Sequence, residues 1–212
     1  AVLDPLKVII ENYPGNTSEQ LNAPNHPKDS TFGERKVPIT KEIYIERSDF
    51  MEEPPKKFHR LSPGKKVRLR YAFVIRCEEI VKDENGTVQE LYCSYDSGTY
   101  NGKNPEDGKV KGIIHWVSAE ENVPIQARLF DRLFTVPNPN GEEDFRKFLN
   151  PESLEIKNNG LAEISLKSSK HSQFQFERTG YFSLDKKEST NDKLVYNRTT
   201  TLRDSWLKEQ KK

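Results

Sequence analysis

Apolar residues recur at every second position in short runs along most of the chain, and Pro or Gly separates one run from the next. A period of two sends alternate side chains to opposite faces, so each run predicts a half-buried strand. The predicted strands are "LKVIIENY", "RKVPIT", "EIYIER", "KKVRLRYAFVIRCEEIVK", "VQELYCSY", "VKGIIHWV", "IQARLFDRLF", "LEIKN", "AEISLK", "QFQFERTGYFSLD" and "LVYNRTT". The clearest hairpin is "RCEEIVK-DENG-TVQELYC", where Asn85 and Gly86 offer the left-handed residues of a tight turn. "GTYNGKNPEDGK" reads as a long loop between strands. Short helical pieces are predicted at "SDFMEE", "GEEDFRKFL" and the tail "LRDSWLKEQ". In the second of these, Glu142, Glu143 and Asp144 favour a helix N-terminus, and Phe145, Phe148 and Leu149 form an apolar stripe.

So many short strands exceed what one sheet holds. The pattern predicts an all-β protein with a few short helices, built as two tandem β-barrels. Two stretches rich in Pro and charge, "MEEPPKK" (51–57) and "FTVPNPNGEED" (134–144), are the natural boundaries. They give a proximal barrel from 1–53 and 135–212, with a distal barrel, 54–134, inserted into it.

The 212 residues suit one large or two small domains. The chain opens at Ala1, inside a strand pattern and without Met, which suggests a piece of a longer chain. Lys plus Arg is 34 and Asp plus Glu is 33, so any affinity for nucleic acid must rest on a local patch. Apolar content of 33% is lean for one thick core, although 11 Phe, 8 Tyr and 2 Trp supply bulk. There is no long apolar run for a membrane span and no signal-peptide pattern, so the expectation is a cytoplasmic protein, away from membranes. Without a secretory signal the sequons "NTS", "NGT" and "NRT" carry no weight. Cys77 and Cys93 flank the "DENG" turn and could face each other across the hairpin, where they are expected to stay reduced and buried.

A catalytic reading finds little material. The four His (26, 59, 115 and 171) lack metal-ligand spacing, so no metal is expected, and no phosphate loop, dinucleotide fingerprint or nucleophile elbow occurs. His115 sits in an apolar strand beside Trp116, the setting of a core histidine; a hydrolase pairing it with Asp96 is the weaker alternative. The chain reads as non-catalytic.

A binding reading has more. "KKFHRLSPGKKVRLR" carries Lys56, Lys57, His59, Arg60, Lys65, Lys66, Arg68 and Arg70. Read as one strand, it points Lys66, Arg68 and Arg70 one way and Val67, Leu69, Tyr71, Phe73 and Ile75 the other. Alternate residues on a strand stand roughly 6.6 Å apart, close to the spacing of phosphates on an extended nucleic acid. Lys offers a point charge for phosphate, whereas the Arg fork can also bond or stack on a base. In "FQFERTGYF" the alternation puts Phe174, Phe176 and Arg178 on one side and Gln175, Glu177 and Thr179 on the other. An exposed amide and carboxylate suit the reading of donors and acceptors on unstacked bases. The same pattern also fits ordinary solvated strand faces.

These stretches, with "DPLKVIIENY", "FHRLSPGKKVRLRYAFVI", "VKGIIHWVSA", "RLFDRLFTVPNP", "FLNPESL", "FQFERTGYFSLD" and "VYNRTTTLRDSW" in that order, resemble the C-terminal anticodon-binding region of the glutaminyl-tRNA synthetase family. The glutamyl-tRNA synthetases of archaeal and eukaryotic type share this region, and "PNHP" and "GIIHWVSA" are more similar to the glutaminyl branch. The resemblance implies two β-barrels and a monomer that binds the tRNA(Gln) anticodon loop. It implies a Rossmann catalytic domain in cis, N-terminal to this region, where ATP and Mg2+ serve to attach glutamine to tRNA. The HIGH- and KMSKS-like motifs of that domain do not occur here, so the chain alone is expected to be inactive. By the same resemblance Arg60 reads the third anticodon base, Arg68 lies beside the first, and Arg70 is a partner close by. Gln175 and Glu177, with Arg178 nearby, belong with the middle base. Lys57 stands where the family has glutamine and is carried over only as a phosphate contact, beside Lys65 and Lys66. A family arginine for the middle base would precede Ala1. Base capture is expected in pockets between the barrels, and a general structured-RNA-binding module is the alternative.

Overall fold

The computed structural model describes residues 1–15, 17–139 and 144–202. Its regular elements are strands and short 3-10 turns, in line with the all-β expectation. The strands are β1 (Pro5–Ile10), β2 (Glu19–Pro24), β3 (Glu34–Ile39), β4 (Glu42–Glu46), β5 (Lys66–Leu69), β6 (Val74–Lys82) and β7 (Val88–Asp96). Then come β8 (Ile113–Ile114), β9 (Trp116–Ser118), β10 (Asn122–Phe130), β11 (Leu154–Glu163), β12 (Gln173–Phe176), β13 (Gly180–Leu184) and β14 (Leu194–Thr200).

One compact unit comprises 1–123 with 161–169, the other 124–160 with 170–212. In the first, seven strands pair in the order β8-β5-β6-β7-β1-β4-β9. The two outermost strands, β8 and β9, are separated in the chain only by His115, so the sheet must curl until its ends nearly meet. The result is a nearly closed barrel. Its interior follows from the alternation: Leu6, Val8 and Ile10 of β1 and Ile43 and Ile45 of β4 are wholly buried. In the second unit, five strands pair in the order β11-β10-β14-β13-β12. Its core gathers Phe176, Phe182 and Tyr196, with the Phe176 and Phe182 rings stacked at 4.5 Å.

These units divide the chain elsewhere than the Pro-rich boundaries do. β1 pairs in parallel with β7, Lys7 opposite Glu90 through Ile10 opposite Cys93, so β5 to β9 share one sheet with β1 and β4. The stretch 51–57 is a loop inside one unit, because Pro and charge mark exposed backbone whether or not a domain ends there. Local pattern carries no information on a pairing this distant in sequence.

Other departures are local. The predicted strand 65–82 is a hairpin, β5 antiparallel to β6 with Lys66 opposite Arg76 and Arg68 opposite Val74. β2 was not legible because "EQLNAP" holds only Leu21 and Ala23 as buried apolar residues; it pairs with β3 as a two-stranded ribbon. "SDFMEE" contributes only the end of a 3-10 turn, Arg47–Asp49, and Phe145–Phe148 forms another, with Phe145 and Leu149 exposed instead of forming a buried stripe. Residues 140–143 and the tail from Arg203 onward lie outside the described residues. In the β6–β7 hairpin Gly86 alone takes the positive φ (81°), Asn85 does not, and Asp83 holds the turn with its side chain. Its carboxylate accepts the Asn85 and Thr87 amides, both at 2.9 Å. Cys77 and Cys93 are direct cross-strand partners, buried and unbridged.

Candidate nucleic-acid interface

The cationic stretch begins in the loop before β5. Leu61 bridges to Phe50, and its amide donates to the Asp49 carbonyl at 3.0 Å, which pins Arg60 beside the Arg47–Asp49 turn. The Arg60 Nε lies 3.2 Å from Oδ1 of buried Asp49, and Nη1 donates to the Ser48 carbonyl at 2.8 Å. The guanidinium also lies over the Phe58 ring, 5.8 Å from its centre. Arg60 is therefore aimed before any ligand arrives. Its side chain is still 38% exposed, and a guanidinium has five N–H donors, so two protein contacts leave donors for a base. Gly112 lets this loop lie close to the strand that enters β8: a Cβ there would stand 1.8 Å from the His59 carbonyl oxygen.

Arg68 departs from the exposed cationic face. Its neighbours Val67 and Leu69 point into the barrel as expected, but the 3-10 turn Ser97–Gly102 folds over the opposite face and buries Arg68. Nη1 donates to the Thr99 carbonyl at 2.7 Å, and Nη2 donates to the Lys103 carbonyl. Burial pulls the Arg68 pKa below its ordinary value. A strand's periodicity tells which face a side chain takes, and not which loop later covers that face.

Lys66 is paired with Asp107 at 2.6 Å, a bond that holds the Asp107 carboxyl below its ordinary range. It borders an open cleft of about 180 Å³ with Arg76, Ser94 and Asp96. Arg76 stands directly opposite Lys66, a pairing that the strand's reversal creates and the sequence pattern does not mark. Lys57 and Lys65 are exposed. Arg70 follows β5. Its amide donates to Ile114 O at 3.0 Å and its carbonyl accepts the Trp116 indole N–H at 2.9 Å. Tyr71, expected to face the core, is instead exposed, with φ at 65°.

In the second unit Gln175 is exposed on β12, an edge strand, opposite Tyr181. Phe174 and Phe176 turn inward and meet Tyr196 at 6.0 and 5.2 Å. The alternation ends at Phe176. Glu177, Arg178 and Thr179 form the turn into β13, with Arg178 exposed at φ 63° instead of sharing a strand face with Phe174. Thr179 closes the turn, donating its amide to the Phe176 carbonyl at 3.1 Å. Gln175, Glu177 and Arg178 thus cluster at one hairpin end, while Lys57, Arg60, Lys65, Lys66, Arg68 and Arg70 belong to the other unit.

The hydrolytic alternative loses its parts. His115 lies between β8 and β9 with Nε2 2.9 Å from the Ala1 nitrogen, and burial pushes its pKa well below the usual value. Asp96 caps the Ser97–Gly102 turn, its Oδ1 accepting the Gly98 amide at 3.0 Å. Among the described residues no group of three or more His, Cys, Asp and Glu could hold a metal ion. No helix among them is long and apolar enough to cross a membrane.

Preset guanidinium groups, exposed lysines and an exposed amide on a strand edge are groups able to bond phosphates and base edges. Comparison with known families gives the class. The description "tRNA synthetases class I (E and Q), anti-codon binding domain" covers two models, one matching residues 1–96 and the other 113–185, and the chain belongs to this family. Among curated relatives, the glutamine–tRNA ligases of Salmonella newport (strain SL254), Salmonella heidelberg (strain SL476) and Salmonella agona (strain SL483) are each 53% identical to it over 210 residues. The match takes in 98% of this chain and 38% of each relative, so the chain spans well under half their length.

Proposed function

We propose that this chain is the part of a glutamine–tRNA ligase that reads the anticodon of tRNA(Gln). The observation that carries the reading is the 53% identity along nearly the whole chain to ligases of that name. ATP, Mg2+ and the transfer of glutamine belong, on this reading, to a catalytic domain elsewhere in the ligase. What this chain contributes is recognition.

The geometry supports a role for each residue. Arg60, oriented by Asp49 and Ser48, presents its remaining donors to a base edge. Gln175 presents an amide from a strand edge, with Glu177 and Arg178 at the adjoining turn. Arg68 acts as a positioning residue: it fixes the 97–103 loop through Thr99 and Lys103. Arg70 serves beside it from the turn after β5. Lys57 and Lys65 neutralise phosphates, and Lys66 does so after exchanging Asp107 for an RNA oxygen.

Competition between RNA hairpins tests the reading. A hairpin carrying a glutamine anticodon should displace bound tRNA(Gln) at concentrations at least about fivefold below those needed for a hairpin with one anticodon base changed, since one good contact discriminates by roughly 1–3 kcal/mol. Equal displacement by unrelated hairpins would assign the chain to general structured-RNA binding. Preference for a glutamate anticodon would move it to the glutamyl branch. In the same assay Lys65→Ala should flatten the dependence of log affinity on log salt by about 0.7, the value for one lost single-strand phosphate contact. Lys66→Ala should flatten it by less, because Asp107 already holds that ammonium.

A further inference from the structure

We infer that Tyr71 is a stacking platform for an unstacked nucleobase of the bound RNA, a subsite that rests on the anticodon-reading function proposed above. Tyr71 lies in the turn between β5 and β6, where Ala72 N donates to Leu69 O at 3.0 Å and Leu69 N donates to Phe73 O at 2.9 Å. It is the third residue of that four-residue turn, and its φ is 65°. Gly or Asn is favoured at such a position, because a side chain with a bulky Cβ substituent crowds the backbone there. A large aromatic in this conformation is strained, and strain of this kind persists where the surroundings fix it and gathers at functional sites.

The burial of its neighbours makes the placement specific. Ala72 and Phe73, next in the chain, are buried at 2% and 0%, whereas Tyr71 is 37% exposed. The turn therefore delivers two residues to the core and holds one ring out. Were the ring needed for packing, the strand alternation would have carried it inward with Val67 and Leu69. The Arg70 guanidinium lies over the ring, 5.6 Å from its centre. Arg35 is a second cation near enough to interact electrostatically with Tyr71. An exposed ring with cations nearby matches what single-stranded RNA needs, a π-face for the base and positive charge for its phosphate. Arg70 and Arg35 are both anchored through the fold, by the β5–β8 backbone and by Glu163, so the ring needs little ordering on binding.

The experiment compares Tyr71→Gly, Tyr71→Phe and the unaltered chain, using a glutamine-anticodon hairpin with 2-aminopurine placed at each loop position in turn. Gly suits the backbone of this turn, so Tyr71→Gly should fold with an unchanged or higher melting temperature. Its affinity for the hairpin should fall roughly 5- to 100-fold, the range for one lost base–aromatic stack. Tyr71→Phe should bind within about twofold of the unaltered chain, since a phenyl ring keeps the π-face. One loop position should show 2-aminopurine quenching with Tyr or Phe and lose it with Gly. Hairpin binding by Tyr71→Gly equal to that of the unaltered chain would overturn the platform and leave anticodon reading intact. An unaltered chain that does not prefer the glutamine hairpin would overturn anticodon reading and the platform with it.

Discussion

Replacing Arg60 by Lys in the full ligase is expected to reduce discrimination at one anticodon base by about 10- to 100-fold, the size of one lost bidentate contact. Binding to tRNA in general should change little. Lys keeps a cation beside Asp49 but loses the planar fork that reaches Ser48 O and the ligand together. Arg60→Ala should relax discrimination similarly and also lower the melting temperature, since it strips buried Asp49 of its cation. Aminoacylation rates on tRNAs changed at single anticodon positions measure the first effect, and thermal unfolding the second. A uniform loss across all anticodons would make Arg60 a phosphate anchor.

Glu163→Gln should cost about 3 kcal/mol of folding stability, the figure expected for breaking a buried pair. Glu163 accepts from Arg35 at 2.5 and 2.9 Å, and Arg35 also donates to Pro24 O at 2.8 Å, so the pair ties the β2–β3 ribbon to the end of β11. Burial alone would raise the Glu163 pKa; the Arg35 bonds and charge outweigh it and hold the carboxyl at about 2. A carboxyl depressed in the folded state stabilises above its unfolded value of 4.5 and loses that contribution as pH falls toward 2. The difference amounts to about 3 kcal/mol at 1.36 kcal/mol per unit. Urea unfolding between pH 6 and pH 2 should therefore show a steep acid loss that Glu163→Gln largely removes. The same slope in both proteins would mean other carboxylates dominate acid unfolding.

Much of this architecture was legible from periodicity. The pattern marks β4 and β7 nearly residue for residue and β1 with three residues too many at its end, because each buries alternate, mostly apolar positions. The reversal at Tyr71 was not, since "KKVRLRYAFVI" alternates straight through the turn and contains neither Gly nor Pro. The hairpin arises from Leu69 and Phe73 both reaching the core, which a one-dimensional pattern scores as a continuing strand. Candidate site residues fared according to how local their surroundings are. Gln175 is exposed, as its place in the alternation of an edge strand implies. Arg68 is covered by a turn some thirty residues on, and Arg60 is held by an aspartate in the preceding turn; neither contact leaves a local mark. The compact units divide the chain elsewhere than the Pro-rich stretches do for the same reason, through the β1–β7 pairing. The spacing of Tyr71 after Arg70 carried no signal that it would face outward.

The most direct test is a chemical footprint of tRNA(Gln) in complex with the full chain. Anticodon nucleotides should become protected at their base edges, with the Tyr71→Gly and Arg60→Lys variants each reopening one of them. Protection confined to stem backbones, with the anticodon bases as reactive as in free tRNA, would contradict the claim that these two groups of residues hold splayed-out bases.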